Sequence, residues 1–309
     1  MLEVYKYGGT LLKDEYTRKS IYSFFKEKRA KGIKIVMVVS AFGRENDCFS
    51  TDNLAKNIQT LNNKDKDQIM TFGEIYSSLI IKKELIDEGF KATNLYYDEI
   101  GIMCDDNYQN GNIKNVNMGY LEEVLENNEV VVVPGFIGES SEGRIISLGR
   151  NTSDLTAIII AKYFNLEKAN IIKEVDGVFK KDPKKEVTSH IIKNISYEQM
   201  LSLICAGSKM FSKKTLEYAK ENEVIIEVKG LNKENSSVIS NLKSEDEILF
   251  IDRENDKIKI VFKSMEVFYE IFKDLVNYKV KLEDIVIVNN IAYLKGNIAK
   301  VYEIINKYL

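Results

Sequence analysis

Four consecutive valines, Val130 to Val133, closed by Pro134-Gly135, constrain the fold of this chain more than any other feature. A β-branched run of that length, ended by Pro-Gly, reads as a strand buried inside a sheet. Gly138 and Gly143 follow in a polar segment, and then Leu148-Gly149-Arg150-Asn151-Thr152-Ser153-Asp154. Residues 155–163 form an apolar helical run directly after it. Ser153 or Asp154 is expected to cap that helix, leaving backbone N–H groups of the preceding loop free for an anion. A second strand over residues 169–173 leads into Val175-Asp176-Gly177-Val178-Phe179 and then Lys180-Lys181-Asp182-Pro183. The order is β-α-β with its polar groups gathered at one end, the end at which open parallel sheets bind ligands.

Length and charge narrow the setting. A chain of 309 residues allows one large or two modest domains. Forty-four Lys and Arg against 47 Asp and Glu leave a net charge of −3, which argues against a nucleic-acid surface. No apolar run reaches the length of a membrane span, and the N-terminus enters a strand directly, without the pattern of a signal peptide. Cys48, Cys104 and Cys205 are unclustered and odd in number, which suits a reducing cytoplasm, and with His190 as the single histidine they form no zinc motif. A histidine-dependent triad is disfavoured, with His190 alone to supply it.

The N-terminal strand over residues 2–7 ends in Lys6-Tyr7-Gly8-Gly9-Thr10, where two glycines allow close backbone approach and a lysine supplies a point charge. By itself this is the sequence of an ordinary turn. The Walker pattern G-x-x-x-x-G-K-[ST] is absent, which disfavours a P-loop NTPase. Residues 15–31 read as an amphipathic helix and 33–39 as a buried strand. Ser40-Ala41-Phe42-Gly43 opens a polar loop reaching Thr51-Asp52. Residues 65–88 are expected to be one long helix interrupted at Gly73-Glu74, a costly place for glycine unless packing or a ligand requires it. Ser196 and Gln199 have the spacing of a capping box. From residue 248 onward the pattern reads β-α-β-β-α, most of a ferredoxin-like unit.

In order along the chain, these motifs resemble the aspartate kinases. Lys6-Tyr7-Gly8-Gly9-Thr10 is similar to that family's K-F-G-G-T, and Ser40-Ala41-Phe42-Gly43 with Thr51-Asp52 to its S-A-x-G…T-D in the longer-loop form of the diaminopimelate-sensitive class. Gly73-Glu74 falls on G-E, Gly135-Phe136-Ile137-Gly138 on G-F-x-G, and Leu148 to Asp154 on L-G-R-G-G-S-D. Val175 to Val178 with Asp182-Pro183, and Gly207-Ser208-Lys209, complete a series covering about residues 1–230.

The resemblance implies an α/β amino-acid-kinase fold, a mainly parallel sheet between helices over residues 1–230, with a single small ACT-like α+β domain over 245–309. It implies transfer of the ATP γ-phosphoryl group to the aspartate side-chain carboxylate, with Mg²⁺ bridging phosphates. That acceptor is ionised at neutral pH, so no general base is needed. The catalytic positions would be Lys6 and Asp154. Thr51, Glu74, Arg150 and Ser153 would contact aspartate. Lys6, Gly8, Gly9, Lys173, Glu174, Phe179, Lys184 and Lys209 would lie on the nucleotide side. Several residues depart from the pattern: Leu11 for serine, Asn151-Thr152 for two glycines, Lys173-Glu174 for Thr-Asp, Phe179 and Lys184 for tyrosine and arginine. A sister kinase for another small acid, or a weakly catalytic ligand-binding paralogue, remains open. A single ACT-like unit also implies pairing with a second chain as a C2 homodimer, and weak or absent inhibition by lysine, threonine or diaminopimelate.

Overall fold

The computed structural model describes residues 1–186, 189–254 and 256–309. Its centre is an eight-stranded sheet of β1 (Leu2–Tyr7), β2 (Lys34–Val39), β3 (Ala92–Asn94), β4 (Val130–Pro134), β5 (Ala169–Lys173), β6 (Asn194–Ser196), β7 (Ile226–Gly230) and β8 (Ser236–Ser240). The spatial order is β6-β8-β7-β5-β1-β2-β4-β3, and every neighbouring pair is parallel except β7 with β8. The four valines fill β4, which is buried throughout. Alternation divides each central strand between two cores. Tyr5, Tyr7, Met37, Val39 and Val132 pack on one face against α1 (Glu15–Ala30) and α2 (Phe72–Asp87). Val4, Val36, Val38, Val131, Val133 and Ile171 pack on the other against α3 (Ser153–Tyr163). Covering both faces is what turns these strands into near-continuous apolar runs.

Three sequence expectations change in the fold. The helix expected over 65–88 is two, Asn63–Met70 and α2, parted at Thr71, whose hydroxyl donates to the Asp67 carbonyl at 2.8 Å. Gly73 therefore sits in the first turn of α2 rather than at the break. An added Cβ there would lie 2.2 Å from the Phe49 carbonyl oxygen, so the glycine serves close packing of the 41–51 loop. The cap of α3 is Thr152, not Ser153 or Asp154, and Thr152 turns its hydroxyl back to the Gly149 carbonyl at 2.5 Å.

The third change lies at the C-terminus. Strands β9 (Ile248–Glu254), β10 (Lys257–Phe262), β11 (Leu282–Val288) and β12 (Ile291–Gly296) form an antiparallel sheet in the order β9-β10-β12-β11. With α4 (Met265–Asn277) and α5 (Ile298–Ile305) the unit is β-β-α-β-β-α, one strand more than expected. The extra strand, β9, pairs along the free side of β10 and completes a four-stranded sheet. One face of that sheet covers α4 and α5 through Ile251, Ile258, Ile260 and Phe262. Leu249, Val261 and Ile291 on the other face join the core of the large domain. The capping box at Ser196 and Gln199 forms as expected.

Candidate active site

β1 carries Lys6 on the same face as Val4, toward α3, because Tyr5 and Tyr7 take the opposite face. The buried Lys6 ammonium meets Asp154, on the first turn of α3, with Nζ 2.8 Å from Oδ1. The other oxygen, Oδ2, accepts from Lys173 Nζ at 2.5 Å. Burial alone would raise the Asp154 carboxyl, but the ammonium groups of Lys173 and Lys6 hold it below the usual carboxylate range. Lys173 also donates to the Met210 carbonyl at 2.9 Å and lies over the Phe211 ring, 4.7 Å from its centroid.

The turn after β1 passes beneath the 41–43 loop. A Cβ on Gly9 would sit 1.9 Å from the Ala41 carbonyl oxygen, so no larger residue fits there. Above Gly8 the space is open, with no atom within 4 Å of where its Cβ would be. Thr51 opens the short helix Thr51–Leu54 and donates to Glu74 Oε1 at 3.3 Å. Glu74 is 3% exposed, and its Oε2 has no hydrogen-bond partner. Burial pushes its carboxyl up to about 8 against hydrogen bonds from Ala41, its own backbone and Thr51, and against the pull of Lys6. A buried carboxyl group with one unpartnered oxygen is suited to a cation when it ionises, and an ammonium group is one such partner. Arg150 is exposed and pairs through Nη2 with Oδ1 of Asp52, the neighbour of Thr51 in the chain.

The Amino acid kinase family profile matches residues 1–229. The chain belongs to the amino acid kinase family. Curated relatives include aspartokinase 1 of Bacillus subtilis, 31% identical over 231 residues, which are 74% of this chain and 57% of that protein. The aspartokinase of Geobacillus stearothermophilus is 34% identical over 228 residues, 74% of this chain and 56% of its own length. The chain thus spans about half the length of the curated relatives it matches. Among solved structures, E. coli aspartokinase III in complex with aspartate and ADP superposes with a TM-score of 0.67 at 16% identity, over 96% of this chain and 78% of that one. That likeness carries the fold of both the large domain and the small antiparallel sheet.

Within this amino acid kinase fold the sequence-derived residues fall into two groups. Lys6, Asp154 and Lys173 meet directly, and Thr51 meets Glu74. Ser153 is buried at the start of α3 beside Asp154. Glu174, Lys184 and Lys209 are exposed on the loops that follow β5 and the helix Tyr197–Cys205. Phe179 is half-buried in the short hairpin of Val178–Phe179 with Ile191–Ile192. Asn151 adopts φ of +60°, a left-handed conformation that asparagine, like the glycine of the family pattern, tolerates. Two features escaped sequence reasoning. Lys173 turns inward to Asp154 instead of outward to solvent, and strand alternation from Ile171 could have placed it there. Asp52 pairs with Arg150 across the chain, and no sequence signal links them. Among the described residues, no group of three His, Cys, Asp or Glu side chains is placed to hold a metal ion.

Proposed function

We propose that this chain is an aspartate kinase that transfers the ATP γ-phosphoryl group to the β-carboxylate of L-aspartate. The observation that carries the reading is the buried Glu74 carboxylate, half of it unpartnered, on the same side of the sheet end as the Lys6–Asp154 pair. One end of the site offers an anion for a substrate ammonium, the other a fixed cation for a phosphoryl group. The relatives named above support the same reading.

Lys6 neutralises charge on the transferring group, and Asp154 holds Lys6 in place. Arg150 grips the substrate α-carboxylate through its planar fork, exchanging Asp52 for it. Thr51 keeps Glu74 oriented, and Ser153 closes the aspartate side. The Gly8-Gly9 turn leaves room for phosphates beside Lys6, while Lys173, Phe179, Lys184, Lys209 and Glu174 border the nucleotide. Mg²⁺ carried by the nucleotide phosphates would supply further charge neutralisation beside Lys6.

The product, 4-phospho-L-aspartate, serves lysine and diaminopimelate, threonine and methionine synthesis in the cytoplasm. The three cysteines, all free, fit a reducing compartment. The 245–309 unit acts as an ACT-like domain through which two chains pair.

The test is ADP release across a panel of amino acids, with hydroxylamine trapping of any acyl phosphate. Aspartate should give a trappable product, and Lys6→Ala should lower the rate at least about 10²-fold. Turnover with glutamate and none with aspartate overturns the substrate; ligand binding without turnover toward any acid makes the chain a sensor.

A further inference from the structure

Lys173 holds a position that the aspartate-kinase pattern gives to threonine, and its surroundings are those of a working cation. β5 lies beside β1 with Lys6 opposite Ile171 and Tyr7 opposite Ile172. Side chains alternate along a strand, so Lys173, two residues beyond Ile171, emerges on the Lys6 face at the ligand end of the sheet. One carboxylate then carries a lysine on each oxygen, Lys6 on Oδ1 at 2.8 Å and Lys173 on Oδ2 at 2.5 Å. Two cations against one anion leave a net positive charge in a buried place. Threonine at 173 would leave a neutral pair. Lys209, the lysine of the family pattern on this side, is exposed and forms no ion pair with any acid among the described residues.

Resting on the phosphoryl-transfer reading above, we propose that Lys173 is a second phosphoryl-binding cation, held with Lys6 at a fixed spacing by their shared carboxylate, Asp154. In the transfer, a carboxylate oxygen of the acceptor forms the new bond to the γ-phosphorus. The bond from that phosphorus to the β–γ bridging oxygen breaks, and its electron pair leaves on ADP. No proton changes hands. Negative charge shifts from acceptor to leaving group, so cations on both sides of the moving phosphorus stabilise the step. Lys6 serves one side and Lys173 the other. A role confined to neutralising Asp154 is redundant, because Lys6 already meets that charge. Burial brings the Lys173 ammonium down to about 8; Asp154 pulls it back up, while Lys6 and Arg44 repel it. An anion of the nucleotide would relieve that excess of positive charge.

Four proteins decide it: wild type, Lys173→Met, Lys173→Thr and Lys173→Arg, each first checked for a cooperative melt. We expect Met and Thr to lower kcat by about 10²-fold, with the KM for aspartate within about threefold of wild type. MgADP titrated by calorimetry should bind about tenfold more weakly to both. Arg should recover a large part of each loss. At saturating aspartate, wild-type kcat/KM for ATP should decline as pH rises through about 8, because free-enzyme Lys173 loses its proton there, and Lys173→Arg should lack that decline. A Thr or Met variant with wild-type kcat and wild-type MgADP affinity overturns the proposal and leaves the functional reading intact. An Arg variant that keeps the alkaline decline also overturns it. A wild type inactive toward every acid overturns the functional reading instead. The MgADP titration then decides Lys173 alone: weaker binding in Met supports it, unchanged binding refutes it. If Met fails to melt cooperatively, the charge-retaining Arg variant still decides through the pH profile.

Discussion

Glu74 is the residue whose chemistry is furthest from its ordinary behaviour. Its folded carboxyl is raised from 4.5 to about 8, so the neutral form is the one the fold favours. The linkage sign follows: stability associated with neutral Glu74 is full below about pH 4.5 and is lost as pH rises toward about 8. Binding of an amino acid needs the ionised form, so the apparent KM for aspartate should fall as pH rises from about 7 to 8.5. Glu74→Gln should raise that KM by about 10- to 100-fold while moving the KM for ATP by less than about twofold. The same variant should melt higher than wild type at pH 8.5 but not at pH 5, since it removes a buried charge that only the higher pH creates. A KM for aspartate that is flat between pH 7 and 9 removes Glu74 from the ammonium site.

At the scale of elements, the site is the product of one close approach and one parity. The 41–51 loop lies against both the turn after β1 and the start of α2, and glycine is the residue at each contact. Alanine in the first turns of a helix is normally better than glycine by up to about 1 kcal/mol. At Gly73 the added methyl would meet the Phe49 carbonyl oxygen and, at 2.7 Å, the Ala41 Cβ. Packing should win: Gly73→Ala is expected to destabilise by about 2 kcal/mol and to raise the KM for aspartate as the loop bearing Thr51 moves. A denaturation midpoint at or above that of wild type would mean that the loop yields freely. Parity does the rest, since strands of period two put Lys6 and Lys173 on the α3 face and leave Tyr5 and Tyr7 to the other core.

At the scale of the molecule, the small sheet is bound to the loop after β5. The Ile251 N–H donates to the Lys180 carbonyl at 2.9 Å, and the buried Lys180 ammonium pairs with Asp246 at 2.7 Å. Lys185 pairs with Asp252 at 2.7 Å. The opposite border of that sheet is β11, an edge strand exposing Val286, Ile287 and Val288 by 47%, 39% and 53%. An edge this apolar calls for a cover, and a second copy of the strand is the cover we expect. Light scattering at micromolar concentration should give a dimer for wild type and a monomer for Ile287→Lys, with the melting temperature of the large domain retained. A monomeric wild type ends the dimer proposal. With Phe262-Lys263-Ser264-Met265 where an effector-binding turn would lie in this unit, lysine, threonine and diaminopimelate should inhibit weakly or not at all.

The valine run, the glycine turns and the order of motifs were local, and they were enough to place the parallel sheet and to single out Lys6, Glu74, Arg150 and Asp154 as candidates. Local patterns work there because strand burial and tight turns are dictated by neighbours in sequence. Strand β9 was not legible, since Ile248 to Glu254 mixes apolar and charged residues and gains its identity only by pairing with β10. The break at Thr71, where a hydroxyl turns back to the Asp67 carbonyl, and the cap of α3, where another is drawn back to Gly149, depend on side-chain bonds that periodicity does not show. Most of all, the sequence left Lys173 as a substitution on the nucleotide side. Tertiary structure made it half of a lysine pair, because Asp154, 19 residues away, comes to the same point only when α3 packs across β1 and β5.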